Sequence, residues 1–203
     1  MATVTAISPV SNDAEEMISA EIPYGVEVSV EGISGFLFHR WSVDGVEAQS
    51  RAAKGSKVKR QDNLESYVYR LPEGELAIPG EYFRMATIAA AKFRQDPRSP
   101  RKSAMDLFKA GVIATTELCG LGAKDWDYID RRRVTIQRNG ITRCRPAMQA
   151  GWRATVSLMV NLPEYIPPQF LNETIQAAGR LIGVGDFRPT FGRFVVTGFT
   201  LVP

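Results

Sequence analysis

The chain has 203 residues, 44% of them apolar and 23% charged, with 25 basic residues against 22 acidic and a formal net charge of +3. That length allows one core that buries about 70% of the unfolded surface, so one domain with insertions fits better than two, and no apolar run approaches the roughly 18–20 residues of a membrane span. One histidine and two cysteines, with no Cys-x-x-Cys pair, leave no ligand set for zinc and point to a reduced, cytoplasmic protein.

In chain order, residues 1–22 read as a polar arm, lacking the basic start and apolar stretch of a signal peptide. YGVEVSVEGIS (24–34) alternates Val26, Val28 and Val30 with polar neighbours, as a strand with one wet face does. FLFHRW (36–41) reads as its short apolar continuation. Residues 42–64 are poor in large apolar groups and rich in Gly, Ser, Ala and Lys, the composition of a flexible basic insertion. YVYR and ELAI flank a Pro-Glu-Gly turn and predict a hairpin, and EYFRMATIAAAKF (81–93) predicts a helix that stops before the two prolines of QDPRSPRK. SAMDLFKAGVIATTEL fits either a helix ending at Gly111 or a strand; we read a strand over 107–115. RRRVTIQRNGITRCRP predicts two strands around Arg138-Asn139-Gly140, since Asn-Gly is a strong hairpin signal. GWRATVSLMVNL alternates Trp152, Ala154, Val156, Leu158 and Val160 as a strand. QFLNETIQAAGRLIG places Phe170, Leu171, Ile175, Ala178 and Ile182 at helical spacing, and GRFVVTGFTLV closes as a strand. Strand, helix and strand thus occur twice. The expected class is α+β, a ferredoxin-like (split βαβ) core with inserted hairpins and loops, in a single domain over 1–203.

Charge is distributed unevenly. Acids dominate 13–31, whereas bases gather at 51–60 (including Lys57, Lys59 and Arg60), at 92–102, and at 131–145. The last stretch holds Arg131, Arg132, Arg133, Arg138, Arg143 and Arg145 without an acid. Strand alternation puts Arg131 and Arg133 on one face and Arg132 on the other. Arginine forks on such a hairpin suit phosphate oxygens; the plain alternative is a solvated sheet face paired to Asp125, Asp127 and Asp130. GRLIGVGDFRPTFGRF (179–194) raises a similar choice. Gly183 and Gly185 either let a backbone turn approach phosphate beside Arg188, or only end a helix and turn into the last strand. Asp186 and Arg188 suit an ion pair with each other, or Arg188 with another carboxylate. Trp41, Tyr67, Tyr69 and Phe187 are the candidate stacking rings. Cys119 and Cys144 read as small buried hydrophobes. His39 is the one group that titrates near neutral pH unperturbed, but it has no obvious Ser, Cys or acidic partner.

Three segments carry a family resemblance. VEVSVEGISGFLFHR resembles the first strand of the RAMP superfamily of CRISPR-associated RNA-binding proteins, with Phe36 where that family usually has proline. LAIPGEYFRMATIAAAKF resembles its Ile-Pro-Gly lead-in to the first helix, and AGRLIGVGDFRPTFGRF its C-terminal glycine-rich loop. The TRCRP…GW…GVGDFRPTFGRF combination is also similar to small bacteriophage proteins. The resemblance implies an RRM-like fold, RNA as ligand, and assembly head to tail as a homo-oligomer or within a multi-subunit ribonucleoprotein.

Together these features lead us to expect a non-catalytic protein that binds single-stranded RNA or DNA, without cofactor, metal or membrane. The expected contacts are Arg131, Arg133, Arg138, Arg143, Arg145, Gly183, Gly185, Arg188, Lys57, Lys59 and Arg60. Three alternatives stand beside it: a phage structural or assembly protein, an inhibitor that joins a CRISPR complex by mimicry, and a metal-independent endoribonuclease using His39.

Overall fold

Alternating valines make the central strand, and everything else is arranged around it. The computed structural model describes residues 22–41, 51, 63–136 and 139–202, with side chains described except at 134–141. The expected arm (1–22) and insertion (42–64) lie almost wholly outside these residues, as do Lys57, Lys59, Arg60 and Arg138.

Strand β1 (Tyr24–Gly32) buries Val26, Val28 and Val30 and exposes Glu27. It lies between β11 (Arg153–Val160) and β12 (Phe194–Val202), antiparallel to both, and β7 (Val112–Ala114) adds to the far edge of β11. The sheet order is β12-β1-β11-β7. Helix α1 (Gly80–Ala91) connects β1 to β7, and helix α3 (Pro168–Leu181) connects β11 to β12. Each of these strand–helix–strand units therefore has a strand of the other between its own two. Apolar side chains of the sheet and of both helices, among them Val28, Val156, Leu158, Phe83, Ala86, Leu171 and Ile175, form one core cluster. Full burial of a side chain of this size contributes about 1.5–3 kcal/mol. Phe83 on α1 meets Phe194 on β12 edge to face, with ring centroids 5.6 Å apart. The opposite face of β1 and β11 is polar, and Arg153 pairs there with Glu31.

Smaller sheets flank this core. The expected hairpin forms as β3 (Tyr69–Arg70) and β4 (Leu76–Pro79), and β8 (Leu118–Gly120) joins it. Ile78-Pro79-Gly80 is the junction at which β4 becomes α1. The Gly80 N–H donates to the Glu117 carbonyl at 3.0 Å, and a Cβ there would lie 2.0 Å from the Thr116 oxygen.

Two expectations are corrected, and one element appears that the sequence did not announce. FLFHRW does not continue β1: Phe36–Leu37 is a separate strand, β2, paired with β10 (Asn139–Met148). Residues 107–115 are not one strand, because helix α2 (Met105–Gly111) occupies most of them and β7 only the end. Gln95–Asp96 (β5) and Ser99–Ser103 (β6) form a small hairpin that the prolines had not suggested. Pro100 is tolerated because that hairpin pairs with no other strand of the described residues.

Candidate nucleic-acid interface

The arginine hairpin and the glycine-rich link meet on one surface. Strand β9 (Tyr128–Ile136) pairs with β10, with Asn139 opposite Ile136. Asn139-Gly140 therefore belongs to β10 itself, paired with Ile136 and Thr135. Alternation then sorts the arginines. Arg131 and Arg133 are exposed, whereas Arg132, Arg143 and Arg145 are wholly or partly buried.

The buried set faces residues 186–191. Arg143 Nη2 lies 2.5 Å from Asp186 Oδ2, and Arg145 Nε lies 3.7 Å from the same oxygen. Arg145 is 7% exposed, and its guanidinium stacks 3.7 Å from the centroid of Tyr67. Arg132 binds Asp130 through both carboxylate oxygens and lies over the rings of Phe187 (4.5 Å) and Phe191 (4.7 Å). The pairing to Asp130 named as the plain alternative thus holds for Arg132, and Arg145 contributes its charge from a buried position. Asp186 pairs with the hairpin and not with Arg188. Its position was not legible as a partner, although it is the single acid within GVGDFRPTFGRF.

The glycines fit the chain to itself. Gly183, Gly185 and Gly192 have φ of +75°, +79° and +73°, the left-handed region that glycine favours. A Cβ on Gly183 would lie 2.9 Å from the carbonyl oxygens of Phe191 and Gly192. One on Gly185 would lie 2.5 Å from the Phe36 ring and 2.7 Å from the Leu37 oxygen. The space those missing side chains leave is therefore taken up inside the fold. Backbone hydrogen bonds from Asp186 to Leu37 (3.1 Å) and from Gly192 to Gly35 (2.7 Å) fasten the link to β2. Arg188 extends from the link, exposed, and makes no ion pair among the described residues.

His39 follows β2 and sits beside this cluster. Its Nδ1 lies 3.4 Å from Arg143 Nη2, and its carbonyl accepts the Tyr82 hydroxyl at 3.0 Å. Partial desolvation lowers the imidazole pKa from its ordinary value; Asp186 opposes the shift, and the charges of Arg145 and Arg143 reinforce it. Burial pushes the Tyr82 phenol up. His39, Asp186 and Arg188, with Ala89 of α1, Leu181 of α3 and Pro189, line a groove of about 530 Å3. Tyr69 stands edge-on to Tyr82 with centroids 6.2 Å apart, and Arg40 lies 5.5 Å over the Tyr69 ring.

Elsewhere the basic stretches are neutralised in part. Arg94 pairs with Glu173, and Arg98 holds the Asp96 carboxyl down at about 2. Trp41 is 71% exposed. Cys119 is buried, and desolvation pushes its thiol up to about 12; Cys144 is only partly covered. Among the described residues no cluster of His, Cys, Asp and Glu could hold a metal ion, and no helix is long and apolar enough to cross a membrane.

No protein-family model and no curated protein matches the chain. Solved structures do. A chain of the Type III-B Cmr-beta assembly bound to cognate target RNA superposes with a TM-score of 0.52 over 89% of this chain, at 8% identity. This chain spans only 61% of the length of that one. Cmr6 from Pyrococcus furiosus aligns over 87% of this chain and 98% of its own, at 10% identity, but its TM-score of 0.45 carries no argument. At such identity the first likeness shows a shared fold and nothing about the site.

Proposed function

We propose that the chain is a ferredoxin-like, RAMP-type module that binds single-stranded nucleic acid, RNA in preference to DNA, mainly through phosphate contacts. The order β12-β1-β11-β7, with a helix inside each half, supports reading the sheet as a split βαβ arrangement. The observation that carries the functional reading is the charge of the hairpin and the link together. Arg132, Arg143 and Arg145 converge from one face of the hairpin on the link that bears Arg188, where among the described residues Asp130 and Asp186 oppose them, and Arg131 and Arg133 stand exposed on the hairpin's other face. Excess guanidinium charge attracts a phosphodiester strand. The superposed chain belongs to an RNA-bound assembly, which favours RNA and a multi-subunit setting. Head-to-tail contacts between copies would extend such a surface along a strand.

The polar face of the sheet argues against binding there in the manner of an RRM. Its central strand offers Glu27, Ser29 and Glu31, no aromatic platform and the wrong charge. Fluorescence anisotropy with single-stranded RNA tests the proposal: affinity falls with salt at a log–log slope of about −0.7 per phosphate neutralised. Failure to bind either RNA or DNA at low salt refutes it.

Catalysis by His39 is the weaker reading. A guanidinium only donates hydrogen bonds, so its approach to Nδ1 occupies the acceptor nitrogen and leaves the proton on Nε2. That state positions an N–H donor rather than a base. RNA cleavage in the presence of a chelator, abolished by His39→Ala, would reverse this assignment.

A further inference from the structure

The groove beside His39 has a mixed lining. Ala89, Leu181 and Pro189 are its apolar part, and Leu181 is 43% exposed. His39, Asp186 and Arg188 are its polar part. An apolar wall facing water is costly, and here it shares the groove with an arginine without an ion-pair partner among the described residues. The backbone between them is held under strain. Phe187 has φ of 53° without being glycine, and its ring is backed by Arg132 at 4.5 Å and Arg143 at 5.6 Å. Left-handed residues of this kind persist where the surroundings over-determine them, and they cluster at ligand sites. The consequence is positional: Asp186 turns inward to the hairpin while Arg188 turns out to the groove.

We propose that this groove holds one nucleotide of the bound strand, its base against the Ala89–Leu181–Pro189 part and its phosphate at Arg188. The assignment rests on the nucleic-acid reading above and adds a specific seat to it. A volume of about 530 Å3 is within the usual range for small-molecule sites, about 300–1,000 Å3. Apolar walls accept the face of any base. Asp186 is already engaged by Arg143 and the Phe187 N–H, whereas the Nε2–H of His39 and the guanidinium of Arg188 are both donors, so a base edge rich in acceptors suits the polar part. Mixed apolar and cationic surface is what a nucleotide requires, whereas an acidic or wholly apolar ligand would leave one part unmatched.

The test uses the full chain and two labelled RNA octamers, one of uridines and one in which every nucleotide is abasic. The native protein is expected to prefer the uridine octamer by about 5–160-fold, the usual contribution of one stacked base. Ala89→Phe and Leu181→Trp each fill the groove from an incompletely buried position without changing charge. In whichever of them keeps the native melting temperature, the preference is expected to fall below twofold while affinity for the abasic octamer is unchanged. A preference that survives in a folded variant overturns the proposal, as does equal binding of both octamers by the native protein. If the native protein binds neither octamer at low salt, the nucleic-acid reading itself fails. Binding of uridine 5′-monophosphate, blocked by Ala89→Phe, by a protein that binds neither octamer assigns the groove to a free nucleotide and overturns its place on a strand.

Discussion

Replacing Asp186 with alanine tests the centre of the surface most directly. The carboxylate is the shared counter-charge of Arg143 and Arg145, and the side chains of the three are only 15%, 19% and 9% exposed. Removal of one partner from a fully buried ion pair costs about 3–5 kcal/mol, because the remaining charge is left in a poor solvent. Partial exposure of this group reduces that to about 2–3 kcal/mol, since water screens part of the loss. For a domain near 200 residues each kcal/mol moves the melting temperature by about 2–4 °C. The expected fall is therefore about 4–12 °C, read by differential scanning calorimetry at low salt. Asp186→Asn separates charge from local structure: it keeps an oxygen to accept the Phe187 N–H at 3.0 Å but gives up the negative charge. Its melting temperature should fall nearly as far. In an Arg143→Leu, Arg145→Leu background the same Asp186→Ala change should cost much less, as expected for groups in contact. A single variant that melts within 1 °C of the native protein, or a cycle that is strictly additive, refutes the account of this cluster.

The hairpin arginines divide in the same way. Arg131→Ala with Arg133→Ala should weaken RNA binding several-fold in anisotropy and leave melting nearly unchanged, because exposed arginines contribute at most about 1 kcal/mol each. Arg145→Ala should instead lower the melting temperature, through loss of the Tyr67 stack and the Asp186 contact. His39, the single histidine, gives a clean pH signal. Its folded pKa is lowered, by desolvation first, with Asp186 opposing and Arg145 and Arg143 adding to the shift, so the folded state favours the neutral ring. The corresponding stability is complete above the unfolded value of about 6.5 and is lost as pH falls through the folded value. His39→Gln should remove that part of the pH dependence in denaturant titrations between pH 7 and 5, and an unchanged profile would count against the burial of the imidazole in the folded state.

What could be read from the sequence was governed by periodicity. Val26, Val28 and Val30, the Trp152–Val160 alternation and the apolar spacing of 170–182 extend over two or more turns or pleats, long enough to fix β1, β11 and α3. Residues 105–114 carry no such signal. A helix of seven residues shows barely two turns, and the Val112-Ile113 that follows it looks like the middle of a strand rather than its beginning. Arg131 and Arg133 could be assigned to one face, apart from Arg132, because strand alternation is local; that this face is the exposed one is known from the structure. The partner of Arg143 could not, since Asp186 reaches it only after β11, α3 and the link have been placed. Tyr67 was legible as an accessible ring but not as the base on which Arg145 stacks. The Asn-Gly pair misled by two residues, because register is set by the whole of β9 and β10 rather than by the strongest turn dipeptide.

The glycine-rich link presented a choice between turning the chain and approaching a ligand, and its geometry assigns those tasks to different residues. Gly183, Gly185 and Gly192 press backbone on backbone within the protein. Asparagine tolerates a left-handed turn, so a turn with open space around it would accept Gly183→Asn. Here a Cβ would lie 2.9 Å from two carbonyl oxygens, and the substitution should be resisted for crowding rather than for φ. Gly185→Val meets both costs, the left-handed backbone at about 1–3 kcal/mol and collision with Phe36 and Leu37. Both variants should melt early. Arg188 differs: it is exposed and carries no ion pair among the described residues, so Arg188→Ala should leave melting within 1 °C. If the link serves binding, that same variant should lose affinity for single-stranded RNA several-fold. Measured on the same preparations, early melting of Gly185→Val with normal binding by the folded fraction fits a glycine that only builds the platform. Native affinity in Arg188→Ala would remove the link from the interface and leave binding to the hairpin alone.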